Sequence, residues 1–186
     1  MCAGIVSAQS DKTTQKAAKK AAKETKKAEK EAQKAAEEAE MKEWYEAAKE
    51  AIENKDFVVE ADRLEFKRGN FVYVNSNTNF VSLKDNKASI QLAFTGNPNS
   101  GPNGIGGITV DGTISKYEVK TDKKGNITVT MMVQGIAVSA SVTLRIPYGS
   151  NKCQATVNPN FHNNRVTFDG YMYPTEYSKV FKGRSI

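Results

Sequence analysis

The run Ile127–Ile146, ITVTMMVQGIAVSASVTLRI, constrains the fold of this chain more than any other stretch. Ile127, Val129, Met131 and Val133 share one parity. Beyond Gly135, Ile136, Val138, Ala140, Val142, Leu144 and Ile146 alternate with Ser139, Ser141, Thr143 and Arg145. A period of two held this long, and carried mainly by β-branched residues, predicts two half-buried strands joined as a hairpin. Helical periodicity over the same residues would scatter its apolar side chains to all sides.

The flanking sequence extends the pattern from Lys55 to about Tyr173. Phe57, Val59 and Ala61 share one parity and Leu64 and Phe66 the other, which predicts a bulge near Asp62–Arg63. A second parity switch, from Ile114 to Tyr117 and Val119, predicts another near Ser115. Short turns at Gly69–Asn70, Asp85–Asn86, Lys123–Asn126, Pro147–Asn151 and Pro159–Asn164 separate the runs. Connections this short make sequence neighbours antiparallel neighbours. The expectation is a mainly β body of roughly eight to ten strands, an antiparallel meander curled into a barrel or half-barrel so that few edges stay exposed.

Ahead of this body, residues 9–54 are dominated by Lys, Ala and Glu without a single Gly or Pro, which predicts one long α-helix. Some forty residues at about 1.5 Å each make a rod of roughly 60 Å. Ala18, Ala21, Thr25, Ala28, Ala32, Ala35 and Ala39 trace one face whose spacing would suit a close helix pair, and it is read here as a solvated face in which alanine supplies propensity. Basic residues crowd the first half, so this arm could lean on an anionic envelope surface. Its last turns differ: Met41, Trp44, Tyr45, Ala48 and Ile52 form an apolar stripe expected to dock on the sheet, with Trp44 as a packing anchor. Residues 174–186 form a polar, basic tail whose Tyr177 and Phe181 are expected to pack back across the sheet.

Residues 1–8, MCAGIVSA, are short and apolar, and Val6-Ser7-Ala8 suits cleavage before Gln9. They read as the remnant of a signal peptide, and hence the protein as exported, periplasmic or otherwise in the cell envelope. Lipidation of Cys2 is the rival reading, and no lipobox precedes it.

Chemistry-bearing residues are sparse. The two cysteines, Cys2 and Cys153, make no disulfide framework, and Cys153 reads as a small apolar strand residue. His162, the sole histidine, falls in a turn, so no multi-histidine metal site is expected and no cofactor is implied. Asp111 and Asp169 interrupt apolar strands and are the acids to examine first. The loop Gly96–Gly107, GNPNSGPNGIGG, lacks the Lys-Ser/Thr and following helix of a phosphate cradle. It offers Asn97, Asn99 and Asn103 as loop-borne binding candidates. A net charge of +6 without a groove-reading or stacking element does not argue for nucleic acid.

Several phrases carry a resemblance: AIENKDFVVEADR at Ala51–Arg63, GTISKYEV at Gly112–Val119, KKGNITV at Lys123–Val129 and RVTFDGYM at Arg165–Met172. Together with the Lys/Ala/Glu arm, the chain resembles the Bacteroidetes envelope-protein family catalogued as domain of unknown function 4251. The resemblance implies an exported protein with a lipocalin-topology barrel and carries no activity with it. The chain departs from the family's pattern at Ile90–Gly96, where IQLAFTG replaces a more aromatic phrase.

Three functions follow as expectations. The first is a non-enzymatic binding or adaptor module for an envelope protein or glycan. The second is a carrier of a small apolar ligand in the barrel interior, with Phe94, Tyr117, Met131 and Val138 as wall residues. The third, a hydrolase built on Asp111 or Asp169, has only a lone carboxylate to work with.

Overall fold

The computed structural model describes residues 7–93, 106–136, 139–160 and 165–185, with side chains from Lys23 onward. One α-helix, α1 (Ser7–Asn54), opens the chain. The chain divides into two compact units, Met1–Glu40 and Met41–Ile186. Within the first, residues 23–40 are exposed throughout. Lys27–Glu31 at 3.8 Å and Lys34–Glu38 at 3.7 Å pair one turn apart. Exposed pairs of this kind contribute a few tenths of a kcal/mol, so the helix there rests mainly on propensity.

The second unit begins with the last turns of α1, where Tyr45, Ala48, Ala51 and Ile52 are buried in the common core while Met41 stays 38% exposed. The apolar stripe therefore engages from its second turn on. Lys55 stops the helix in a left-handed conformation (φ 54°), donating its backbone N–H to the Ile52 carbonyl at 3.2 Å.

Among the described residues nine strands follow: β1 (Asp56–Phe66), β2 (Phe71–Tyr73), β3 (Phe80–Lys84), β4 (Lys87–Ala93), β5 (Gly107–Thr121), β6 (Ile127–Gly135), β7 (Ser139–Ile146), β8 (Lys152–Pro159) and β9 (Val166–Pro174). From β3 to β9 each pairs antiparallel with the next. β9 then pairs with β1 from Phe57↔Pro174 to Phe66↔Val166, which closes an eight-stranded, up-and-down barrel of lipocalin-like order. On its other side β1 pairs with β3 through Asp56–Glu60 and with β2 through Arg63–Glu65, so β2 extends the wall beside the upper half of β1. Register shifts fall between Ala61 and Arg63 and between Ile114 and Lys116, where the parity of the apolar residues switches.

Phe57, Leu64, Met131, Leu144, Phe168 and Met172 are fully buried at the centre. Each such side chain contributes about 1.5–3 kcal/mol by leaving water. The turns β3–β4, β5–β6 and β7–β8 share one end with the start of β1 and the end of β9. The last turns of α1 close that end: Tyr45 donates its hydroxyl to the Gly125 carbonyl at 2.6 Å, and Tyr117 donates to the Ile52 carbonyl at 2.7 Å. Trp44 meets Tyr173 and Tyr177 edge-on, at 5.3 Å and 5.7 Å between ring centroids.

After β9 the tail crosses the outer face of β1, β3, β4 and β5 as a strap. Ser178 donates to Glu60, Phe181 donates its N–H to the Asn77 carbonyl, and Gly183 donates its N–H to Gln91 Oε1. Gln91 Nε2 donates in return to the Phe181 carbonyl at 2.7 Å. The strap lies over Gln91 and Thr109, both fully buried although they point away from the barrel interior. The tail thus packs back, but mainly through hydrogen bonds to Glu60, Asn77, Gln91 and Asp111: Phe181 stays 61% exposed, and Tyr177, though it meets Trp44, stays 58% exposed.

Candidate functional site: a polar groove on the outer barrel wall

The alternation that buries Ile127, Leu144, Ile146, Cys153 and Phe168 necessarily turns their neighbours outward. Register then aligns those neighbours. Thr128 on β6 faces Arg145 on β7, Arg145 faces Gln154 on β8, Gln154 faces Asp169 on β9, and Asp169 faces Arg63 on β1. One step along, Lys152 faces Tyr171. This polar row runs through an open groove of about 620 Å³, with Asp62 of the β1 bulge at one side and Asn126 and Pro147 of the turns at one end. Volumes of this size suit a small ligand or part of a larger one.

The groups in the groove differ in how far their bonding capacity is used. Asp169 is engaged: Arg63 donates Nε to its Oδ2 at 2.9 Å, and a second guanidinium nitrogen reaches the same oxygen. The hydrogen bond and the charge of Asp169 raise the Arg63 guanidinium above its ordinary value. Arg63 also lies over the exposed Phe71 ring, 5.5 Å from its centroid. The side chains of Thr128, Arg145, Lys152, Gln154 and Tyr171 make no hydrogen bond or ion pair among the described residues. Cys153 borders the groove but is itself buried, and burial pushes its thiol far up, so it is not a ready nucleophile.

The residues singled out from sequence fall in different places. Tyr117 and Met131 are direct partners across β5 and β6. Met131 is fully buried in the core, and Tyr117 is half-buried, its phenol pushed well up by burial. Phe94, Val138, Asn97, Asn99, Asn103 and His162 lie outside the described residues. Asp169 lines the groove. Asp111 sits under the strap and accepts from Ser89, Lys182 and Ser185. Burial alone would raise its carboxyl, but those hydrogen bonds together hold it below the usual value. Among the described residues no cluster of His, Cys, Asp and Glu is arranged to hold a metal, and no helix is long and apolar enough to cross a membrane. The groove itself escapes a linear reading, because Thr128, Arg145, Gln154 and Asp169 become neighbours only once strand register is known.

The family model for Domain of unknown function (DUF4251) matches residues 38–172. The chain belongs to this family. The DUF4251 region runs from the last turns of α1 through most of β9, and so holds every groove residue and stops short of the strap. Among solved structures, the chain is similar to the crystal structure of a DUF4251 family protein from Bacteroides eggerthii, at 42% sequence identity and a TM-score of 0.67. That similarity covers 80% of this chain and 99% of the other. No curated protein matches.

Proposed function

We propose that this DUF4251 protein is an exported, non-enzymatic binding or adaptor module of the cell envelope that takes its ligand on the outer groove. The observation that supports this reading is the row of unengaged polar side chains, Arg145, Lys152 and Gln154 beside Tyr171, on a rigid four-stranded wall. The paired strands fix where these side chains leave the backbone, and so set their spacing for a ligand. A hydrolytic role for Asp169 has less support, because Arg63 already occupies that carboxylate. Asp111 is likewise taken up by the strap. Export rests on residues 1–8 as read from sequence.

Two measurements test the reading. Cell fractionation should recover the protein from the envelope; recovery from the cytoplasm alone overturns export. Backbone amide shifts on addition of envelope-derived glycans and peptides should map to β6–β9 around Arg145 and Gln154. Shifts confined to the opposite barrel end would overturn the groove.

That outcome would favour the second reading, a small apolar ligand carried inside. Its support is at the mouth, where Phe66, Leu92 and Val166 are only half-buried and Ile108 is 42% exposed. Native mass spectrometry of freshly purified protein would then show a co-purifying apolar molecule.

A further inference from the structure

We propose that the outer groove takes an acidic saccharide, a short sugar chain bearing carboxylates. This rests on the groove being the binding surface and adds the class of ligand.

The charges come first. Arg145 and Lys152 are cations without a partner among the described residues. Among the described residues the groove holds two carboxylates; Asp169 is neutralised by Arg63, which leaves Asp62 unmatched. Two unmatched cations against one unmatched anion favour a ligand with negative charge, and a planar guanidinium suits a carboxylate in two-point contact.

The remaining groups narrow the class. Both Arg63 contacts go to Oδ2 of Asp169, so Oδ1 retains its capacity to accept. Asp62 is an acceptor as well, and the Gln154 amide and Thr128 hydroxyl can each donate and accept. A simple anion offers no hydrogen to Asp62 or to the free Oδ1 of Asp169, and Asp62 would repel it. A ligand with many hydroxyls beside its carboxylate satisfies both kinds of group at once.

Shape agrees. Tyr171 is 37% exposed beside Lys152 and presents a ring with a polar tip, the kind of surface on which the C–H face of a sugar can lie. Four strands about 4.8 Å apart place Thr128 and Asp169 about 14 Å from one another. That span fits two or three linked sugar rings lying across the strands better than a single one. The groove is open, as a site reading the middle of a longer chain must be.

The experiment uses the full-length protein with trimeric oligouronides (galacturonic, mannuronic and guluronic), neutral galactotriose and a tetraglutamate peptide. Calorimetry gives affinity and amide shifts give location. At least one oligouronide should bind with shifts at Arg145, Gln154 and Tyr171, at least ten-fold tighter than galactotriose, and more weakly as salt is raised. Arg145→Met and Tyr171→Ala should each weaken it by ten-fold or more. Lys152→Met, at an exposed position, serves as a further variant should Tyr171→Ala unfold. Equal binding of galactotriose, preference for tetraglutamate, or indifference to Arg145→Met overturns the saccharide assignment and leaves the groove a binding surface. If none of the probes shifts a groove amide, the saccharide assignment falls. If envelope-derived glycans and peptides leave the groove untouched too, the binding reading falls with it.

Discussion

Tyr117 joins two layers of the structure with one side chain. Its ring packs against the core, its hydroxyl donates to the Ile52 carbonyl at the end of α1, and the Lys55 ammonium lies 5.2 Å from its ring centroid. Tyr117→Phe should cost about 1 kcal/mol, because the carbonyl at the helix end loses the shorter of its two hydrogen bonds and keeps only the Lys55 N–H; thermal denaturation reads the loss. The pH dependence has a definite sign. Burial raises the phenol in the folded state, so its contribution is complete below the unfolded tyrosine value of about 10 and is lost as pH rises beyond it. Stability measured by urea unfolding should fall between about pH 10 and 11, and less steeply in Tyr117→Phe. Sequence placed Tyr117 on an inward parity, which holds, but no linear pattern shows a helix carbonyl 65 residues upstream as its partner. Asp111 and Asp169 pose the same difficulty. Both are visible as acids inside strands, while their partners, Lys182 and Arg63, stand 71 and 106 residues away.

At the level of elements, most of the β body is legible because burial on one face imposes a period of two, and a bulge shows itself as a change of phase. The shifts at Ala61/Arg63 and Ile114/Lys116 are cases of this. The strap is the element that sequence described least well. It has no periodicity, since its docking uses backbone groups and scattered polar side chains that meet Glu60, Gln91 and Asp111 instead of a repeating apolar face. Ending the chain after Pro174 should therefore leave the barrel folded but about 2–3 kcal/mol less stable, from several lost hydrogen bonds near 1 kcal/mol each. Hydrogen exchange should then rise at Gln91 and Thr109. Acid should loosen the same element. The Asp111 carboxyl sits below its ordinary value, so its contribution is present above about pH 3.9 and disappears as pH falls through the lowered value. Exchange at Lys182 and Gly183 should speed up in that acid window, and Asp111→Asn should abolish the change.

For the whole molecule, the core draws on residues from Tyr45 onward, and Met41–Ile186 forms its own compact unit. A chain beginning at Met41 should keep its melting temperature within about 2 °C of the full chain, as read by calorimetry. The seam between β1 and β9 is less forgiving. A Cβ on Gly170 would meet the Glu60 carbonyl oxygen at 1.8 Å, so Gly170→Ala should cost about 3 kcal/mol or leave the barrel open. Limited proteolysis near Arg63 would report the opening.

The seam also fixes when the fold can finish. The first strand waits for the last: β2 and β3 take up one edge of β1 early, but its other edge finds a partner only in residues 166–174. Until those residues have left the ribosome, a nascent chain holds one unpaired β1 edge and cannot seal. Products that stop before β9 should accordingly fail to fold and be cleared or aggregate.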